Sequence, residues 1–227
     1  MKILVSCEES QRVCMAFRDK GHEAYSCDII EPSGGHIEWH ILGDALEALR
    51  GGQITTMDGV KHDIGKWDMI IAFPPCTYLS TVATRRHSLR CRTLKQINER
   101  TEKRIEAMRF FMEFINAPCE KIAVENPMGV MNTAYRSPDC IISPWMFATD
   151  ENDEENYIQK RTCLWLKGLP PLVQTNELDK PNLKEIFGTY PSGKTGCWVD
   201  SVGGKDRAKI RSKTFPGIAK AMADQWG

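Results

Sequence analysis

The feature that most constrains this chain is a series of short apolar runs, each stopped by a turn and most followed by a helical pattern. Ile3 to Cys7 reads as a buried strand, and Val13, Ala16 and Phe17 share one face of a helix that stops near Gly21. Glu23 to Ile29 supplies a second strand with Asp28 at its end. Asp68 to Phe73 (DMIIAF) runs into Pro74-Pro75, and Lys121 to Asn126 (KIAVEN) runs into Pro127. Between these two, Ile105, Met108, Met112 and Ile115 recur at helical spacing. Strands that are apolar on both faces need cover on both sides, which parallel pairing with crossover helices provides. The expected fold is α/β: a doubly wound, mainly parallel, Rossmann-like sheet forming one domain over 1–227.

The last third is less regular. Thr162 to Lys167 (TCLWLK) reads as a strand, Gly168 to about Arg207 is rich in Pro, Gly and Asn, and Pro216 to Trp226 is a helix with Pro in its first turn. The acidic stretch Asp150 to Glu155 (DENDEE) is most simply a solvated loop. Lys+Arg 30 against Asp+Glu 30 gives zero net charge, so contact with nucleic acid has to come from a local patch. No run approaches the roughly 18 apolar residues of a membrane span, and the N-terminus turns polar after Val5, too soon for a signal peptide. A soluble, cytoplasmic protein is expected. Nine cysteines, an odd number without a Cys-x-x-Cys pair, point to free thiols rather than disulfides or zinc. His36 and His40 could share a helix face as metal ligands, but Gly34-Gly35 favours a loop there, and no metal is expected.

In an open α/β sheet ligands bind at the carboxyl ends of the strands, and three sets of residues stand there. Pro74-Pro75 stiffens the backbone immediately before Cys76, fixing where that thiol points; Cys76 is either a nucleophile or a small buried hydrophobe. Glu125-Asn126 ends a buried strand, where an acid must be solvated by the crevice or paired; an N-cap or turn is the bland reading. Asp28 lies where nucleotide-binding α/β proteins place an acid on ribose hydroxyls, although Asp also simply ends strands. The first strand-to-helix turn reads Ser6-Cys7-Glu8-Glu9-Ser10 without glycine, so the dinucleotide fingerprint and the P-loop are both absent. A thiol and a carboxylic acid together suit substitution at C5 of a pyrimidine, in which a nucleophile adds at C6 and an acid protonates N3.

Pro74-Pro75-Cys76 resembles the Pro-Pro-Cys nucleophile motif of the cytosine-C5 DNA methyltransferases, and Glu125-Asn126 resembles their Glu-Asn-Val motif, in the same order after successive strands. Over nearly its whole length the chain is similar to the small, mostly phage-encoded DNA-cytosine-methyltransferase-like proteins. The blocks that carry this are CEES with GHEAYSCD, FPPCTYL, IAVENP, TCLWLKGLPPL and RSKTFPGIAKAMADQWG. The resemblance implies a class I S-adenosylmethionine-dependent methyltransferase fold. Its cofactor would lie near Cys7, Glu8, Glu9 and Ser10, with Asp28 on the ribose, Asp44 near the adenine, and Phe73 and Pro74 lining the pocket. It also implies Cys76 as nucleophile, Glu125 as the acid at N3, Asn126 bracing the loop, and Arg161 on the base or on Glu125. The chain departs from the family in three places. CEES replaces a Gly-rich turn. The family's Gln-x-Arg-x-Arg appears as Gln159-Lys160-Arg161-Thr162-Cys163, with one arginine of two. The target-recognition region has shrunk to 168–207.

The expected partner is DNA. Nine basic residues fall between Thr84 and Arg109, beginning soon after Cys76, and Arg85, Arg86, Arg90, Arg92 and Lys95 are the candidates for phosphate contact. Glu99, Glu102 and Glu106 dilute the rest into an ordinary charged helix. A second basic set, Lys205, Arg207, Lys209, Arg211 and Lys213, could hold the other strand or be a solvated approach to the last helix. Two alternatives stay open. One is C5 modification of a free pyrimidine nucleotide or of cytosine in RNA, for which a missing recognition region is no handicap. The other is a catalytically silent protein that binds DNA or cofactor.

Overall fold

The computed structural model describes residues 1–85, 88–90, 92–183, 187–189, 191–193, 195, 196, 204 and 207–227; Arg86, much of the 168–207 region and the side chains of Arg85, Arg207 and Lys209 fall outside it. Among the described residues seven strands form one sheet in the order β3-β2-β1-β6-β7-β9-β8. These are β1 (Lys2–Ser6), β2 (Glu23–Asp28), β3 (His40–Leu42), β6 (Met69–Ala72), β7 (Lys121–Pro127), β8 (Cys140–Ile142) and β9 (Thr162–Lys167). β1 pairs parallel with β2 and β6, β2 with β3, and β6 with β7; β9 runs antiparallel between β7 and β8. A small antiparallel pair, β4 (Gly52–Thr55) with β5 (Lys61–Gly65), lies apart. The sheet is thus α/β and mostly parallel. Its order reverses between β1 and β6, so the crevice for ligands opens at the carboxyl ends of these strands.

Strand alternation divides the core in two, since successive side chains point to opposite faces. Ile3, Val5, Met69 and Ile71 face helices α1 (Arg12–Asp19) and α7 (Pro216–Trp226), meeting Val13, Phe17, Ile218, Met222 and Trp226. Leu4, Ile70, Ile122 and Val124 face the other way, onto Phe111 and Phe114 of α4 (Leu94–Ile115). The buried face of α4 is centred on these phenylalanines rather than on the Ile105 stripe: Ile105 is exposed, while Phe111 packs edge-on to Trp165 with ring centroids 5.2 Å apart. Thr93 and Gln96 form a reciprocal capping box that starts α4. Short helices α2 (Ala45–Ala48), α3 (Thr81–Arg85), α5 (Met131–Ala134) and α6 (Arg207–Ser212) connect the rest.

Several boundaries differ from the sequence reading. β1 ends at Ser6, because Cys7 turns into the left-handed region at φ 59°. β3, β8 and the β4–β5 pair have no expected counterpart; each strand is three to five residues long, too short for a period to show. His40 begins β3 and is fully buried, with Nδ1 2.8 Å from Ser26 Oγ and Nε2 3.1 Å from the Ile30 carbonyl, so both ring nitrogens are engaged within the fold. His36 stacks on Trp39 at 3.9 Å. Cys7, Cys14, Cys27, Cys76, Cys119, Cys140 and Cys163 are free thiols. No described helix is long and apolar enough to cross a membrane.

Candidate active site

The first turn is built around a buried acid. Gln11 precedes α1 in a left-handed conformation and its side chain does not cap the helix; Glu8 does, accepting from Val13 N at 2.6 Å and Cys14 N at 3.2 Å. Burial nevertheless pushes the Glu8 carboxyl up to about 8 against the pull of those two N–H groups. Glu8 is therefore committed to the fold. Gln11 Nε2 donates to Ser26 Oγ and to the His36 carbonyl while its Oε1 accepts from His36 N, which pins the segment after β2 against this turn. Ser33 N donates to the Glu9 carbonyl from the same segment. Ser6 and Ser10 carry buried hydroxyls with no hydrogen-bond partner.

Cys7, Cys27, Asp28 and Asp44 gather at the ends of β1 to β3. Burial raises the Cys7 thiol, and the charges of Asp28 and Asp44 raise it further. Asp28 is half-buried and accepts from Ile30 N at 3.3 Å; burial raises its carboxyl, and Glu9 adds to this. Asp44 is exposed and caps α2 through Leu46 N at 2.9 Å. Asp28, Asp44 and Glu9 thus give this half of the crevice an acidic character.

The second half lies after β6 and β7. Residues 74–76 leave β6 with Pro74 buried and Cys76 exposed by area. Asn126, almost fully buried, donates from Nδ2 to the Pro74 carbonyl at 2.8 Å, tying the end of β7 to the Pro-Pro-Cys loop, while its Oδ1 is left without a partner. Arg104 Nε donates to the Tyr78 carbonyl at 3.2 Å and Arg100 lies over the Tyr78 ring at 5.1 Å, so these two α4 cations hold the same loop from outside. Arg90 and Lys95 are exposed, and Arg92 is half-buried.

Glu125 borders a narrow cavity with Phe73, Lys160, Lys213 and Phe215; its ≈ 20 Å³ suffices for about one water. Burial raises the Glu125 carboxyl and Lys160 pulls it back. Burial lowers the Lys160 ammonium, and Glu125 and Cys76 oppose that. Although Cys76 opens to solvent, protein crowds it on most sides: burial raises the thiol, Glu125 adds to this, and Lys160 and Arg211 counter it. Cys76, Glu125, Lys160 and Arg211 therefore form one electrostatic cluster.

Arg161 lies outside that cluster. It is exposed, and its charge acts on Cys163; the cation acting on Glu125 is its neighbour Lys160. Lys160 Nζ also donates to the Arg211 carbonyl at 3.1 Å and lies 5.3 Å from the Phe215 ring centre. The sequence signal for Lys160 was its adjacency to Arg161 before an apolar strand, which did not say which of the two turns inward.

No family model matches the chain, and no curated protein matches it.

Proposed function

We propose that the protein transfers a methyl group from S-adenosylmethionine to C5 of cytosine in DNA, on a class I methyltransferase fold. The observation that carries this reading is the placement of Cys76 and Glu125 at the ends of the adjacent parallel strands β6 and β7, in mutual electrostatic reach, with Asn126 tying the two loops. Cys76 as thiolate adds to C6 of the flipped base. Glu125, held protonated more readily by its burial, gives N3 a proton, so that C5 becomes nucleophilic. After substitution at C5, solvent water takes the C5 proton, the C6–S bond breaks with its electron pair returning to Cys76 as thiolate, and the N3 proton goes back to the Glu125 carboxylate, restoring the ring.

The acidic half of the crevice suits a cationic donor. Asp28 and Glu9 can accept from ribose hydroxyls or balance a sulfonium charge, Cys7 and Asp44 lie close to Asp28, and Ser10, Phe73 and Pro74 are the further candidates for donor contact. When bound, S-adenosylmethionine supplies the methyl group as an electrophile. Glu8, engaged at α1, contributes to the turn rather than to the donor. Arg90, Arg92 and Lys95 follow the Cys76 loop and supply positive charge for phosphates; Arg85 and Arg86 are further candidates from the sequence, the Arg85 side chain and Arg86 lying outside the described residues.

The test is trapping. A duplex containing 5-fluorocytosine, incubated with protein and S-adenosylmethionine, should give a denaturation-resistant adduct that Cys76→Ser abolishes, because fluorine at C5 blocks release. Wild-type protein that gives no adduct, with Cys76→Ser indistinguishable from it, sinks the mechanism. Parallel methyl-transfer assays on dCTP and tRNA separate the substrate alternatives. The turn built on Glu8 instead of glycine, and the exposed position of Arg161 away from Glu125, favour a second reading: a protein that binds donor or DNA without turnover. Calorimetric binding of S-adenosylmethionine with no methylation of any of the three substrates would select it.

A further inference from the structure

We propose that Lys160 is a positioning residue, placed from before β9 beside the end of β7 as the inward-facing cation of the candidate active site. The proposal rests on the reading of Cys76 as a reactive thiol, but not on DNA as substrate.

The geometry behind it has three parts. Lys160 and Glu125 line the same narrow cavity, so no bulk water screens them fully. The ammonium is held in place: Lys160 N donates to Ser143 Oγ at 3.0 Å, Nζ donates to the Arg211 carbonyl, and the Phe215 ring flanks it. β9 pairs antiparallel with β7 in the register Pro127↔Thr162 and Asn126↔Cys163, so residues just before β9 lie beside the carboxyl end of β7, where Glu125 and Asn126 stand. A parallel strand would place its other end there.

The electrostatic consequence follows from sign alone. Glu125 disfavours a thiolate at Cys76, as does burial, and Lys160 and Arg211 are the cations acting against both. Each partner of the pair needs the lysine for a different reason. Cys76 needs a positive neighbour to ionise, and a Glu125 that loses its proton during reaction needs one to balance the new carboxylate. Exposed Arg161 satisfies neither requirement from where it sits.

The experiment reads thiol ionisation directly and uses neither DNA nor donor. The rate of Cys76 carbamidomethylation by iodoacetamide, followed by peptide mass spectrometry so that the other cysteines do not interfere, is measured from pH 6 to 10. Lys160→Met should displace the profile to higher pH, slowing alkylation at pH 7.5 about tenfold, the equivalent of one pKa unit. Lys160→Arg should return the profile most of the way to wild type. Glu125→Gln should displace it to lower pH, and it tests the cluster even if Lys160→Met does not fold. Profiles of Lys160→Met and wild type that superimpose overturn the proposal; so does a Glu125→Gln profile that does not move. A displaced profile in a protein that forms no adduct with 5-fluorocytosine would keep Lys160 in this role and remove DNA methylation.

Discussion

At the scale of single residues, the two loops of the site are joined at Gly129. An added Cβ would stand 2.0 Å from the Leu79 carbonyl oxygen, inside a short bridge in which Thr81 N donates to the Met128 carbonyl and Val130 N to the Leu79 carbonyl. The obstacle is backbone on both sides, so no side-chain rotation relieves it. Gly129→Ala should destabilise the protein by about 2 kcal/mol or more and lower the thermal midpoint by roughly 4 to 8 °C. It should also separate the Cys76 and Glu125 loops, so the iodoacetamide profile of Cys76 should lose part of its dependence on Glu125. An unchanged midpoint would show that the bridge is not tight in solution. Nothing local in Asn126-Pro127-Met128-Gly129 announces this need, because the clashing partner lies fifty positions away. Cys76, Glu125 and Asn126 were legible for the opposite reason: each closes an apolar run, and the position after a strand is informative without knowledge of its neighbours. Lys160 was not legible, since its place beside Glu125 depends on the reversed direction of β9.

At the scale of elements, α1 shows how an acid can start a helix at a turn that contains no glycine. The left-handed Cys7 and Gln11 bring the chain around, and Glu8 fills the helix N-terminus with a carboxyl group. The parallel strands β1, β2, β6 and β7 follow from apolar runs, whereas parallel β3 is too short to show and the buried face of α4 centres on Phe111 and Phe114 rather than on the Ile105 stripe; the antiparallel insertion of β9 was invisible because TCLWLK is equally apolar in either direction. The buried cap has a pH signature. Glu8 rises from an ordinary 4.5 to about 8 in the folded protein, so between these values the folded state binds a proton that the unfolded chain releases. Its contribution to stability is complete below pH 4.5 and is lost as pH rises through about 8. Glu8→Gln keeps an oxygen for Val13 N and cannot ionise. Urea unfolding from pH 4.5 to 9 should therefore show wild-type stability falling more steeply than that of Glu8→Gln. Parallel slopes would mean that the two helix N–H groups keep Glu8 ionised throughout.

At the scale of the whole molecule, the two ends of the chain close on each other across one face of the sheet. α7 packs on α1 and on residues 144–147, burying Ile218, Met222 and Trp226, and the segment leading into it also walls the Glu125 cavity through Lys213 and Phe215. Trp226 fixes the far end: its ring is buried and Nε1 donates to the Pro170 carbonyl at 2.9 Å, while Gln225 exchanges two hydrogen bonds of 2.8 Å with Val173. Fold and site are therefore coupled, because the helix that completes the core follows directly on Arg211 and Phe215, which flank Lys160. Trp226→Ala removes a large buried ring and orphans the Pro170 carbonyl, at a cost of about 3 to 5 kcal/mol and roughly 10 °C in thermal midpoint. Well below its own midpoint, the variant should also alkylate Cys76 with a profile displaced to higher pH, because a loosened α7 lets Phe215 and the Arg211 carbonyl drift from the Lys160 ammonium. Gln225→Ala, which removes only the exposed pair with Val173, should cost about 1 kcal/mol and leave that profile in place. If Trp226→Ala lowers the midpoint while the Cys76 profile stays at its wild-type position, the core and the site are independent, and Lys160 is held by β9 alone.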